Sequence, residues 1–334
     1  MCKFLMICQE NTLSYAYQSV KDDLMNLVTI FGGSGFLGRY LVSQLASKGY
    51  FIRAIVRKPN DALFLKVYGK VGQIELLRGD IKNEESLRDY VQGSDCVINC
   101  VATFFETRSQ SFKNLHVSAA RNLAEAAKKE RVNQFIHISS LGASSKSSSQ
   151  LLKSKGLGEE AVLDHFPNAS IIRPSLIFGI EDTFFNRFAK LSSISPFIPV
   201  VGPNTQFQPV YVDDVAKAVS LLIETDQHKR YLELGGDEIY KFKELIGLLL
   251  VEINRGRITL PIPFLLAKVI ATINDFLRLI SGGLVPPFLT LAQVKSLENH
   301  NLVESNAEKF SDIGIVPKKL SIILPKIVAR FKKI

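Results

Sequence analysis

The sequence of 334 residues holds only four cysteines and five histidines. Four thiols make no disulfide framework. Cys96 and Cys100 lie two alternations apart in the apolar run DCVINCVAT, which puts both on one strand face as core residues. With Cys2 and Cys8, the set suggests a reducing compartment. No stretch has about 20 uninterrupted apolar residues, so no transmembrane helix is expected. Residues 1–24 contain an apolar segment too short for a bilayer and no convincing cleavage site. They read as an extension, an over-long start ahead of Met25, where MNLVTIFGG would open the first strand directly. There is no internal repeat. Asp213 and Asp214 have no histidine or third carboxylate at ligand spacing, so they read as a helix N-cap and first-turn acid and no metal is expected.

Acidic residues are the scarcer charge, 32 against 41 basic ones, for a formal +9. That balance suits anionic partners: phosphorylated cofactors, lipid headgroups or an acidic protein surface. Nucleic acid is not expected. The last seventeen residues carry six basic side chains and no acid, which reads either as a solvated basic helix or as a docking or membrane-surface element.

What is present is a globular chain, 46% hydrophobic, in which apolar runs alternate with helical patterns from Leu27 onward. LVTIFG, FIRAIVR, IELLRGD, CVINCVA, QFIHISS and SIIRPSLIFG are unbroken apolar runs, as expected for strands covered on both faces. The expected fold is α/β: a doubly wound Rossmann-type parallel sheet with a smaller C-terminal α/β cap and a helical tail. Residues 25–178 form the dinucleotide-binding core, and 179–334 the remaining core elements with the cap and basic tail. Proline and glycine cluster in SPFIPVVGPNTQFQP, where scaffold gives way to substrate-side architecture.

FGGSGFLG follows the first strand and opens the first helix. Gly32, Gly35 and Gly38 stand three apart, and Gly33, Gly35 and Gly38 also satisfy G-x-G-x-x-G. Glycine permits the tight turn and lets the backbone approach a pyrophosphate at the helix N-terminus, so this loop, with Ser34, Phe36 and Leu37, is the expected nucleotide cradle. An acid about 20 residues further on would hold an NAD ribose. Here Arg57 and Lys58 stand instead, with Arg39 just past the last glycine, so NADPH is expected over NADH through bonds to the 2′-phosphate.

FGGSGFLGRYLV, RGDI, NCVA, FIHISS, KSKGLGE, IIRPSLIFG, FFNRFA and QPVYVDDVAKAV, in that order, resemble the atypical short-chain dehydrogenase/reductase family over about residues 25–300. The later motifs resemble its respiratory complex I accessory-subunit branch, with bacterial relatives. The resemblance implies NADPH in a Rossmann-type domain, complex I subunits as partners, and a C-terminal region near the ubiquinone end. It implies the cytoplasmic side of a bacterial inner membrane, or the mitochondrial matrix side. By motif, Asp80 and Ile81 would sit beside the adenine and Asn99, Cys100, Val101 and Ala102 would line the cofactor. Lys155 would reach the nicotinamide ribose, and Arg173, Pro174 and Ser175 would flank the nicotinamide.

Active relatives carry Tyr-x-x-x-Lys, in which the lysine lowers the tyrosine pKa and the tyrosine exchanges the substrate proton. Aligning Lys155 puts Leu151 in the tyrosine's place, one turn earlier on the same face of a helix with N-caps at Ser147, Ser148 and Ser149. Leucine transfers no proton. Ser140 matches the serine that would polarise a carbonyl, so Ser140 and Lys155 read as a remnant site in a non-catalytic NADPH-binding accessory protein. The rival expectation is an NAD(P)-dependent epimerase, dehydratase or reductase acting on a sugar nucleotide or quinone-pathway compound, with an acid supplied from residues 180–210. His137 reads as a core residue. Near the C-terminus, Leu265, Leu266, Val269, Ile270, Ile273, Phe276, Leu277 and Ile280 cover a broad apolar helix face bracketed by Pro261, Pro263, Pro286 and Pro287. It either packs on the main domain or, with the basic tail, docks on a membrane-embedded partner or an anionic membrane surface.

Overall fold

A computed structural model describes residues 26–107, 110–280 and 289–333, with the side chains of 278–280 excepted. The extension 1–24, Pro286, Pro287 and the Ile280 side chain lie outside the described residues. Thirteen strands follow in chain order among them: β1 Leu27–Phe31, β2 Phe51–Val56, β3 Ile74–Arg78, β4 Cys96–Asn99, β5 Gln134–Ile138, β6 Ser170–Pro174, β7 Ile177–Phe178, β8 Phe197–Val201, β9 Gln206–Phe207, β10 Val210–Tyr211, β11 Tyr231–Leu234, β12 Tyr240–Lys241 and β13 Ile258–Ile262. The α-helices are α1 Phe36–Ser47, α2 Leu87–Val91, α3 Ala119–Lys129, α4 Gln150–His165, α5 Phe184–Ile194, α6 Val212–Glu224, α7 Phe242–Glu252, α8 Phe264–Ile280, α9 Leu291–Ser296 and α10 Leu320–Val328.

Seven strands form one sheet in the order β11-β6-β5-β4-β1-β2-β3, every pairing parallel. Alternation along the strands feeds two cores. Val28, Ile30, Ile98 and Ile136 pack with α1 and α6, while Val97, Phe135 and Ile171 pack with α3 and α4. This doubly wound sheet bears out the expected architecture, and helices on both faces explain its unbroken apolar strands. The order of strand addition switches from one side of the sheet to the other between β1 and β4, which opens the crevice where such sheets take ligands.

The cap is a separate packing unit. Parallel β8 and β13, antiparallel β9 and β12, and α5, α7 and α10 enclose a core of Phe185, Ile198, Phe242, Leu245, Ile323 and Leu324. SPFIPVVGPNTQFQP thus supplies strands β8 and β9. The basic tail also departs from a solvated helix. Leu320, Ile323, Leu324, Ile327 and Val328 of α10 are buried, because an apolar stripe at helical spacing fills the cap core. Lys318 lies against Asp213 and over the Tyr211 ring, and Lys332 pairs with Glu252. Asp213 and Asp214 both lie in the first turn of α6, with Tyr211 at the N-cap. Asp214 accepts a 2.6 Å bond from the Lys318 backbone N–H, tying the tail to the main domain.

Candidate nucleotide site

The glycine loop leaves β1 through Gly32, whose φ of +84° is open to glycine at little cost. A Cβ on Gly38 would stand 2.2 Å from the Gly32 carbonyl oxygen, so only glycine lets α1 start this close beneath the turn. The N-cap Gly35 offers no capping side chain and the first turn of α1 holds no acid. The N–H groups and positive dipole end of this helix are therefore left for an anion.

Above this turn lies a cleft of about 200 Å³, lined by the strand ends of the sheet. Gly32, Ser34 and Gly35 come from the loop after β1 and Arg57 from the end of β2. Asp80 and Ile81 follow β3, and Cys100, Val101 and Ala102 follow β4. Gly79, Lys82, Gln110 and Leu115 complete the lining and were not singled out by sequence. Asp80 is held by the Lys82 backbone N–H at 3.0 Å and by its ammonium at 3.5 Å. Arg57 is exposed and makes no ion pair with a described residue. Arg39 is drawn aside, lying 4.7 Å over the Phe64 ring and 3.5 Å from Glu181.

The other candidates stand outside the lining. Gly33, Phe36, Leu37 and Gly38 back the turn; Phe36 packs edge-on to Tyr40. Asn99 is buried, accepts from Val101 N–H at 3.1 Å and faces His137 Nδ1 at 3.2 Å. It shapes the turn that carries Cys100 to Ala102. Cys96 is buried in the core whereas Cys100 reaches the cleft, and burial pushes both thiols far up, so neither is a reactive thiolate. Arg173 is engaged elsewhere: its guanidinium binds Glu159 at 2.5 and 3.1 Å, approaches Glu233 at 3.4 Å and lies 4.3 Å over the Tyr231 ring. Pro174 is buried at the end of β6. The Ser175 hydroxyl bonds Asn301 Oδ1 at 2.7 Å, which brings a distant cap segment over the sheet. No local pattern marks Asn301.

Helix α4 packs closely on the π-helical turn Lys113–Ser118, where a Cβ on Gly158 would meet the His116 carbonyl oxygen at 2.1 Å. This contact buries Leu151 and Lys155, each 6% exposed. Ser149 is the N-cap, but its hydroxyl donates to the Ala292 carbonyl at 2.9 Å instead of capping the helix. Lys155 forms no hydrogen bond or ion pair with a described residue, and burial lowers its pKa to about 8 against the counteracting charge of Glu159. Burial, then the charge of Lys155, holds His116 and His137 neutral with values near 3. His116 Nε2 accepts from Thr103 N–H at 3.1 Å, so the proton sits on Nδ1, facing Ser154 Oγ at 2.8 Å. Both ring nitrogens are thereby used, and His116 is no free base. Ser139, at the end of β5, has a buried hydroxyl without a partner among the described residues, whereas Ser140 is partly exposed.

A buried lysine with no partner among the described residues, the buried unpartnered Ser139 hydroxyl, a glycine-tight helix start and an acid beyond β3 together fit a dinucleotide. Residues 32–175 match the family model described as NAD(P)H-binding. Over 302 residues the chain is 36% identical to "NADH dehydrogenase [ubiquinone] 1 alpha subcomplex subunit 9, mitochondrial" of Arabidopsis thaliana, covering 88% of this chain and 75% of that protein. It belongs to the family of that complex I subunit. The mouse member is 34% identical over 312 residues, 92% of this chain and 80% of its own. Among solved structures, an NADPH-dependent quinone oxidoreductase from Escherichia coli complexed with NADPH superposes with a TM-score of 0.68 at 19% identity, covering 91% and 99% of the two chains. At that identity the likeness shows the shared fold alone. Within the family, the NAD(P)-binding domain and the parallel sheet are the parts these likenesses establish.

Proposed function

We propose that this chain is an NADPH-binding, non-catalytic accessory subunit of a complex I-type NADH:ubiquinone oxidoreductase, in which the nucleotide holds the fold together. The observation that carries this reading is the pair Leu151 and Lys155: a buried lysine with no partner among the described residues stands ready for ribose hydroxyls, and the position that would supply a proton is leucine. Bound nicotinamide cofactor would supply a hydride, but Lys155 and the backbone of the glycine loop serve binding, and His116 is locked by Thr103 and Ser154. A ligand that binds only the native state stabilises it by RT ln(1 + [L]/Kd), about 4 kcal/mol when free ligand is 1,000 times Kd.

Arg57 favours NADPH because the end of β2 offers an exposed guanidinium with no ion-pair partner among the described residues and no acid to repel the 2′-phosphate. Asp80 would meet the adenine, and Pro174 and Ser175 the nicotinamide side. Attachment to a membrane partner is supported by α8. Its outer stripe of Leu265, Leu266, Val269, Ile273, Phe276 and Leu277 is 51% to 78% exposed. No helix among the described residues is long and apolar enough to cross a membrane. The surface therefore suits docking on a membrane-embedded partner or in the headgroup region of an anionic bilayer.

The test is to denature freshly purified protein, identify the released nucleotide, and follow single-turnover NADPH oxidation over a carbonyl panel, with Leu151→Tyr in parallel. NADPH in near-equimolar yield, no oxidation, and unchanged affinity in Leu151→Tyr are expected. Robust oxidation by the unmodified protein would overturn the accessory reading.

A further inference from the structure

Two neighbouring side chains of α1 meet one acid from outside the helix. Glu181 lies in the connection between β7 and α5, with its Oε1 3.5 Å from Arg39 Nη1 and its Oε2 accepting from the Tyr40 hydroxyl at 2.9 Å. Both carboxylate oxygens therefore face α1. The backbone that carries Glu181 is itself anchored. Buried Asp182 accepts from Gly179 N–H at 3.2 Å and from Phe185 N–H at 2.7 Å, and a Cβ on Gly179 would meet the Phe36 ring at 3.1 Å. Glu181 is a fixed neighbour of the first helix, not a loose surface acid.

The guanidinium it meets lies at the edge of the nucleotide cleft. Arg39 Nε and Nη2 donate to the carbonyl oxygens of Gly35 and Ser34, each at 3.4 Å, and both of those residues line the cleft. Arg39 also rests over Phe64, in the segment Pro59–Tyr68 that begins two residues past Arg57. It stands between the glycine loop and the end of β2, on the Arg57 side of the cleft. None of its polar contacts is tight. The side chains of Arg39 and Glu181 are 24% and 36% exposed, so water screens their pairing, and a dianionic phosphate would outcompete a single carboxylate for the same guanidinium.

We propose that Glu181 sets the margin between the two nicotinamide cofactors by holding Arg39 in reserve. The 2′-phosphate of NADPH draws the guanidinium away from Glu181 to join Arg57, whereas the 2′-hydroxyl of NADH leaves the pair intact. The inference rests on the reading of the cleft as a nicotinamide-nucleotide site. Glu181 acts through Arg39 and is a positioning residue. Because the pair must be broken for NADPH alone, the acid limits NADPH affinity and spares that of NADH.

The experiment measures NADPH and NADH dissociation constants by calorimetric titration at low salt for the full-length protein, Glu181→Gln, Arg39→Met and the double variant. Glu181→Gln removes the charge and keeps an acceptor for Tyr40. It should tighten NADPH by about two- to fivefold, the scale of one exposed ion pair, and leave NADH within about 1.5-fold. Arg39→Met should weaken NADPH by about threefold or more, and the double variant should bind as Arg39→Met does, since the acid acts only through the arginine. Added salt should shrink the gain. Unchanged NADPH affinity in Glu181→Gln, or a gain that persists in the Arg39→Met background, would overturn the inference while leaving the cleft reading in place. Failure of the unmodified protein to bind either nucleotide would overturn the cleft reading, and this inference with it.

Discussion

The sheet half and the cap both present a cavity, but they build it from different materials. In the sheet half, glycine leaves main chain bare in the part of the lining that faces the helix start. Gly32 and Gly35 bring main chain against the cleft, Gly38 lets the helix start close beneath them, and most of the polar side chains come from strand ends. In the cap the walls are phenylalanine, leucine and valine side chains gathered from α5, β8, α7, α8 and α9, with charge only at the rim. A backbone cradle recognises what every dinucleotide has in common, its pyrophosphate and ribose. A side-chain cavity recognises what is apolar, and changes with each substitution. The half that tolerates least variation is therefore the one whose ligand class is plainest.

The largest expected effect breaks the cradle. Gly38→Val would drive a side chain into the Gly32 carbonyl, 2.2 Å from the Cβ position, and force α1 away from the turn. NADPH affinity should fall by roughly 100-fold or more, with about 1–3 kcal/mol of lost stability from overpacking. Calorimetric titration and urea unfolding would measure both, and near-normal binding would show that the helix start is not the anion site.

Next comes Lys155, where binding and stability should move in opposite directions. Its folded pKa of about 8 lies below the unfolded value of 10.5, so the buried ammonium costs stability below pH 8, and the cost fades as pH rises toward 10. The penalty is on the order of 3 kcal/mol at neutral pH. Lys155→Met should make the nucleotide-free protein more stable at pH 7 and flatten its stability between pH 8 and 10. NADPH binding should weaken by about tenfold or more through loss of a charge-assisted contact. A variant with unchanged NADPH affinity would reduce Lys155 to a packing residue.

Arg57→Asp should sharpen the comparison, because it alters a side chain at the rim of a backbone cradle. NADPH should lose about tenfold relative to NADH, leaving pyrophosphate binding in place. Equal or tighter NADH binding by the unmodified protein would refute the role of Arg57. The smallest effect on the protein itself should come from Leu266→Glu on the exposed face of α8. Stability should change by no more than about 0.5 kcal/mol, since the side chain is 51% exposed. Flotation with anionic vesicles at low salt should drop several-fold. Retention of flotation would point to protein docking instead.

The parts that were legible in the sequence are those encoded by neighbours along the chain. Apolar strands alternating with amphipathic helices, the glycines of FGGSGFLG and the four-residue step from Leu151 to Lys155 are local patterns. Local geometry alone places their members together, as it places Gly32, Arg57, Asp80 and Cys100 at the ends of successive strands. Sequence also set the missing acid beyond β2 and the missing tyrosine of α4, because each absence is defined by a fixed offset from a motif.

Tertiary structure decided what depends on distant partners. Arg39 and Arg57 are equivalent as letters, yet Glu181 and Phe64 take up the first and leave the second at the cleft. Arg173 is claimed by Glu159 and Glu233, and Ser175 by Asn301, through contacts spanning up to 126 positions. The basic tail carries a buried apolar stripe that becomes meaningful only once the cap core exists to receive it. Lys155 shows the division most plainly: its position on the helix follows from the sequence, but the lowering of its pKa needs a low-polarity enclosure. That enclosure exists only after the turn Lys113–Ser118 packs against α4, because desolvation is a property of everything surrounding a charge rather than of its neighbours in the chain.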